Sequence, residues 1–137
     1  MPWDDLVPDS SGLLPGTDAA TIQAVEAELG TKLPGEFVEF LLWADGGQIA
    51  QRRFIVYAAG AGIHPGETLL TANRGRDAAF PLILVGREAE EEFGFKKSDL
   101  PAQTAPVYFY RHDEDDLDKI AGSFCEFVEW MFKRANR

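Results

Sequence analysis

Along this chain the spacing of apolar residues changes twice, and that limits the fold more than any single motif does. Ile22, Val25 and Leu29 recur at three- and four-residue intervals, as do Phe37, Phe40, Leu41 and Ala44. Such intervals place side chains on one face of an α-helix. From Arg53 onward the pattern becomes short runs of β-branched and aromatic residues. These are 53–57 (RFIVY), 82–85 (LILV), a third run beginning at 93–95, and 107–110 (VYFY) after Pro106. Runs of that length and make-up read as strands. Helical spacing returns in Phe124, Phe127, Val128 and Met131. The order predicts an α+β fold: an antiparallel, mostly meander sheet of about four or more strands, with two N-terminal helices and a C-terminal helix packed against it. The connections 86–92 and 96–106 are short, which favours neighbouring antiparallel strands.

Local signals set the expected boundaries. Thr17 is the expected cap of the first helix, with Asp18 in its first turn, and Gly30 ends it in a left-handed conformation. Pro34 opens the second helix, where a missing N–H costs nothing, and Gly46-Gly47 are expected to stop it. Residues 67–74 form a short helix. Ser123 and Glu126 make a capping box for the last helix. Residues 1–16, rich in Pro, Gly, Ser and Asp, read as an irregular arm that Trp3 and Leu6 are able to pin to the core. Residues 17–137 then form one domain, without repeat or linker. The 137 residues are 45% hydrophobic, enough for a real core.

The formal charge of −10 is not spread evenly. Glu88, Glu90, Glu91 and Glu92 form one acidic run, and Asp113, Glu114, Asp115, Asp116 and Asp118 form another. Nine acids thus fall in eleven residues without a base, while the rest of the chain holds 14 acids against 13 bases. There is no basic stripe to release counterions from a polyanion, which argues against nucleic acid and against an anionic membrane as partner. Both runs border predicted strands, so they are expected to meet at one rim of the sheet. Clustered carboxylates there would steer a basic protein partner. The alternative is a pair of solvated loops, the commoner role of a charge run.

Other chemistry is weakly supported. One cysteine, Cys125, excludes an intrachain disulfide and a cysteine zinc cluster. It sits beside the inward stripe of the last helix, as a half-buried structural thiol does. Ser123 with His64 or His112 lacks a nucleophile elbow and an orienting third group, so a capping role is favoured over an enzyme. The run from Asp113 fails the EF-hand pattern, because its sixth and twelfth positions are Asp118 and Phe124 rather than Gly and Glu. No metal or cofactor is expected. The N-terminal MPWDDLVPDSSG lacks the basic and apolar regions of a signal peptide, and no run reaches about 18 apolar residues. A cytoplasmic location is expected.

Three segments together resemble a known family. The first is Ile22-Gln-Ala-Val-Glu26-Ala-Glu-Leu29-Gly30-Thr-Lys-Leu33-Pro34-Gly-Glu36-Phe37, continuing through Phe40-Leu41-Leu42 to Asp45-Gly46-Gly47. The second is Pro106-Val107-Tyr108-Phe109-Tyr110 with His112-Asp113, and the third is Ile120-Ala121-Gly-Ser123-Phe124-Cys-Glu126-Phe127. In this order they are similar to the SUKH superfamily, cell-wall-regulator-like domains that include immunity proteins of bacterial polymorphic toxin systems. The resemblance spans about residues 17–132. Two departures stand out: Asp-Gly-Gly replaces the commoner Asn-Gly-Gly, and Arg-Glu-Ala-Glu-Glu-Glu occupies a stretch where many relatives carry a Gly-rich turn. The resemblance implies a binding module rather than an enzyme, an immunity-type protein that neutralises a cognate toxin. Joined to the charge pattern, it predicts a basic toxin met at Glu88, Glu90, Glu91, Glu92, Asp113, Glu114, Asp115, Asp116 and Asp118. The alternative it implies is an intracellular regulatory interaction module of the same fold, without a toxin partner. Glu26, at the recurrent helix position, is expected to cap or pair with a neighbour.

Overall fold

A computed structural model describes residues 3–62, 64, 66–111 and 116–136. The elements in chain order are α1 (Trp3–Leu6), β1 (Leu13–Pro15), α2 (Ala19–Leu29), α3 (Gly35–Trp43), β2 (Ala44–Ile49), β3 (Phe54–Val56), α4 (Leu69–Asn73), β4 (Leu82–Glu88), β5 (Glu91–Lys96), β6 (Val107–Arg111), β7 (Asp116–Ala121) and α5 (Phe124–Ala135). The seven strands form one antiparallel sheet in the order β1-β2-β3-β4-β5-β6-β7, an uninterrupted meander. The expected α+β architecture is present, with three more strands than the four apolar runs marked.

The additional strands correct the sequence reading. Asp45-Gly46-Gly47 does not merely stop α3; it lies within β2, between β1 and β3. Both glycines have positive φ, +73° and +116°. A Cβ on Gly46 would stand 2.5 Å from the Val56 carbonyl oxygen, and one on Gly47 would stand 2.6 Å from that of Gly12. The two residues therefore allow close backbone approach on both sides of the strand. The segment 1–16 is not simply irregular. It contributes α1 and the edge strand β1, and Trp3 is buried against Phe40 and Phe124. The second acidic run is not simply a loop either, since its residues from Asp116 onward form β7.

The helix signals hold with small shifts. Asp18, rather than Thr17, caps α2 by accepting from the Thr21 N–H at 2.8 Å, and Gly30 closes it at φ +79°. That hydrogen bond holds the Asp18 carboxyl below its ordinary range. Ser123 caps α5 through the Glu126 N–H, while the Glu126 carboxylate accepts from Gly122.

The core lies between the sheet and the helices α3 and α5. Paired positions Phe93↔Phe109 and Phe95↔Val107 turn one face of the sheet toward them. Phe37 meets Phe95 and Phe124, with ring centroids at 5.6 and 4.9 Å, and Phe127 lies 4.6 Å from Phe93. Gly86, paired with both Val56 and Phe93, leaves room for the Phe93 ring; a Cβ there would come within 2.2 Å of it.

One polar side chain completes the sheet. Beside Leu84, where β3 has already ended, the Asn73 amide of α4 takes the missing strand's place. Its Oδ1 accepts from the Leu84 N–H at 2.8 Å, and its Nδ2 donates to the Leu84 carbonyl at 2.9 Å.

Candidate functional site

Strand register decides where the acidic runs lie. The pairs Ile49↔Phe54, Glu88↔Glu91 and Arg111↔Asp116 close three successive hairpins, and Phe54 is itself paired with Glu88. All three hairpins therefore end at one rim. The described acids of both runs reach that rim, while Asp113, Glu114, Asp115 and His112 lie outside the described residues.

Within the rim the acids do different things. Glu88 is buried. Its carboxylate is gripped by Arg53 in the turn before β3 and by Arg134 in the last turn of α5, whose Nε lies 3.1 and 3.2 Å from the two oxygens. Glu92 points to the other face, where it accepts from the Tyr57 hydroxyl at 2.9 Å and from Arg76 at 2.6 Å. Burial first, and the facing Glu92 carboxylate next, hold the Tyr57 hydroxyl far above the ordinary phenol range, so it remains a donor. Asp118 is paired with Arg111 from the neighbouring strand, at 2.6 Å to Nε. Glu90, Glu91 and Asp116 are exposed and pair with no base among the described residues.

The sequence picture of base-free acidic loops thus changes. Arg53, Arg76, Arg111 and Arg134 come from elsewhere in the chain and neutralise three of the acids, leaving Glu90, Glu91 and Asp116 as the described carboxylates free to meet a partner. The bases were missed because Arg53 and Arg134 lie 35 and 46 residues from Glu88. The pairing of these strands was expected from their short connection, but the tightness of the turn was not legible, because its tip lacks the usual Gly or Asn: Ala89 adopts φ +53°.

The adjoining β2–β3 turn is also unusual. Ala50, Gln51 and Arg52 have consecutive φ values of +56°, +58° and +64°, a left-handed run of residues that all carry a Cβ. The end of α5 supports it: Gln51 donates to the Asn136 side chain, and Arg53 donates to the Arg134 carbonyl at 3.4 Å.

The motif residues have structural work. Glu26 accepts from the Leu33 N–H at 2.7 Å, tying the end of α2 to the Leu-Pro entry of α3. Asp45 accepts from the N–H groups of Ala59 and Gly60, at 2.8 and 3.0 Å, and anchors the segment after β3. Glu36 accepts from the Cys125 N–H at 2.7 Å, linking the first turns of α3 and α5. Burial and then the Glu36 charge push the Cys125 thiol up to about 12, far from a reactive thiolate. His64 is exposed, and its carbonyl accepts from the Glu67 N–H in a turn. Ser123 Oγ is engaged as the α5 cap. Among the described residues, no group of three or more His, Cys, Asp or Glu is placed to hold a metal ion, and no helix is long and apolar enough to cross a membrane.

The model of the SMI1/KNR4 family (SUKH-1) matches residues 16–130, most of the chain. The chain belongs to the SMI1/KNR4 (SUKH-1) family. No match is found among curated proteins. The SUKH-1 match begins just after β1 and runs through most of α5, and so includes the half-buried Glu26, the buried Glu36 and Asp45, and the hairpin rim. Membership supports a protein-interaction or immunity-type domain.

Proposed function

We propose that this SUKH-1 chain is an immunity-type protein that binds a cognate bacterial toxin domain in the cytoplasm and blocks it. The observation that carries this reading is the rim. Two acidic segments far apart in sequence converge there, and Glu90, Glu91 and Asp116 keep their charge turned to solvent. A toxin that acts on nucleic acid needs a basic groove for its polyanionic substrate. Carboxylates at the end of a rigid sheet present a matching field and occlude that groove. The internally paired Glu88, Glu92 and Asp118 hold the rim in shape, and the exposed acids make the contact. Steering by such a field raises the association rate and makes it fall with salt.

The test is co-expression with any candidate toxin domain encoded beside this gene. Rescue of growth together with co-purification is expected. A chain that neither rescues growth nor co-purifies with its neighbour would replace this reading with that of a regulatory interaction module of the same fold.

A further inference from the structure

At the opposite end of β4 from the acidic rim, the surface has the reverse character. A cleft of about 240 Å³ opens between the end of α2, α4 and the first residues of β4. Leu29 and Leu70, both half-buried, supply its apolar floor, while the lining residues Leu82 and Ile83 are buried and add almost no surface. Arg74 and Lys97 stand at its walls. We propose that this cleft binds a small carboxylate with a short apolar tail.

The charge balance argues for an anion. Three bases line the cleft, Arg74, Arg76 and Lys97, against one acid, Glu28, in a chain whose formal charge is −10. Arg76 is neutralised by Glu92, so the cations left to meet an anion are Arg74 and Lys97. Arg74 reaches Glu28 only at 3.7 Å, with both side chains mostly exposed. Such a pair contributes little and gives way to a better-placed anion. The Lys97 ammonium has a hydrogen bond of 3.4 Å, to the Ala78 carbonyl, at the long limit of the range. Two cations with donors to spare therefore flank an apolar floor.

That floor selects the ligand class. A compact, fully hydrated anion would leave Leu29 and Leu70 in water. A monocarboxylate with an aliphatic tail meets both halves, its head bridging Arg74 and Lys97 and its methylenes covering the leucines. The cleft is smaller than the roughly 300–1,000 Å³ of sites for drug-sized ligands, which limits the tail to a few carbons. The cleft shares Arg76 with the rim acid Glu92, but the two donors assigned to the ligand, Arg74 and Lys97, contact Glu28 and the Ala78 carbonyl instead, so the assignment does not rest on toxin binding.

Hexanoate, hexanol and hexylamine, titrated against the full chain, provide the test, with the methyl resonances of Leu29, Leu70, Leu82 and Ile83 as the readout. Hexanoate should shift those methyls saturably, and the neutral and cationic probes should bind at least about tenfold more weakly. The R74E/K97E variant should lose about tenfold in hexanoate affinity while methyls elsewhere keep their positions, and K97R should retain binding. The assignment is overturned if hexanoate leaves these methyls unshifted, if the three probes bind alike, or if charge reversal leaves hexanoate affinity unchanged.

Discussion

Glu26 has a short hydrogen bond to a backbone N–H seven residues away, and it is the residue that makes the α2–α3 corner specific. A charged acceptor on a backbone donor is worth about 1.5–3 kcal/mol, so Glu26→Ala should lower unfolding free energy by that order in a urea titration, with the denaturant slope unchanged. Cys125 gives a second residue-scale expectation. With its thiol raised from 9.0 to about 12, the thiolate fraction at pH 8 is about a thousandfold below that of a free cysteine. Iodoacetamide should therefore label the folded chain very slowly and the urea-unfolded chain at the ordinary rate. Glu36→Gln should speed labelling of the folded chain, since removing a neighbouring negative charge lowers a thiol pKa. The capping roles of Ser123 and Gly30 were legible in the sequence because they depend on near neighbours. For Glu26 only a local partner could be anticipated, and that partner is Leu33. The reach of Asp45 to Ala59 and Gly60 was not legible, because it spans a strand pairing.

The element scale shows where the apolar pattern stops being informative. β2 (ADGGQI) has no alternation of apolar and polar residues, and its two glycines imitate a helix stop. Their purpose appears only once β1 and β3 press against them. Gly46→Ala would add a Cβ at φ +73° against a carbonyl, and a loss of about 1–3 kcal/mol is expected by thermal or urea unfolding. β7 (DLDKIA) reads as an acidic loop for a different reason: it is an edge strand. Asp116, Asp118 and Lys119 keep that edge from pairing with other chains. At the other edge, β1 is only three residues long and ends in Pro15. Asn73 is the element-scale residue hardest to foresee, since its amide serves as a strand neighbour for Leu84. Asn73→Leu would leave the Leu84 N–H and carbonyl without that partner, and should cost about 2–6 kcal/mol, at about 1–3 kcal/mol for each unsatisfied group. Loss of amide-exchange protection at Leu84 would accompany it.

At the scale of the whole molecule, the meander order explains why charge that looks local in sequence becomes one surface. Each acidic run borders a hairpin, and an uninterrupted antiparallel sheet brings those hairpins to the same end. That convergence could be anticipated from the order of apolar runs and short connections. The division of labour within it could not, because Arg53 and Arg134 arrive from the turn before β3 and the last turn of α5. The SUKH-1 frame thus converts a net charge of −10 into a braced rim with three described acids turned outward. The proposed function requires the acids that brace the rim and those that meet the toxin to be different residues, which paired measurements of stability and toxin affinity on two variants decide. Glu88→Gln should lose about 1.5–3 kcal/mol of folding stability, because it weakens the double arginine grip. E90K/E91K/D116K should stay within about 0.5 kcal/mol of the parent in stability. The triple variant should bind a toxin that the parent chain captures at least about tenfold more weakly and with a shallower dependence on salt. Unchanged affinity and unchanged salt dependence in the triple variant would rule out the rim as the toxin-binding surface.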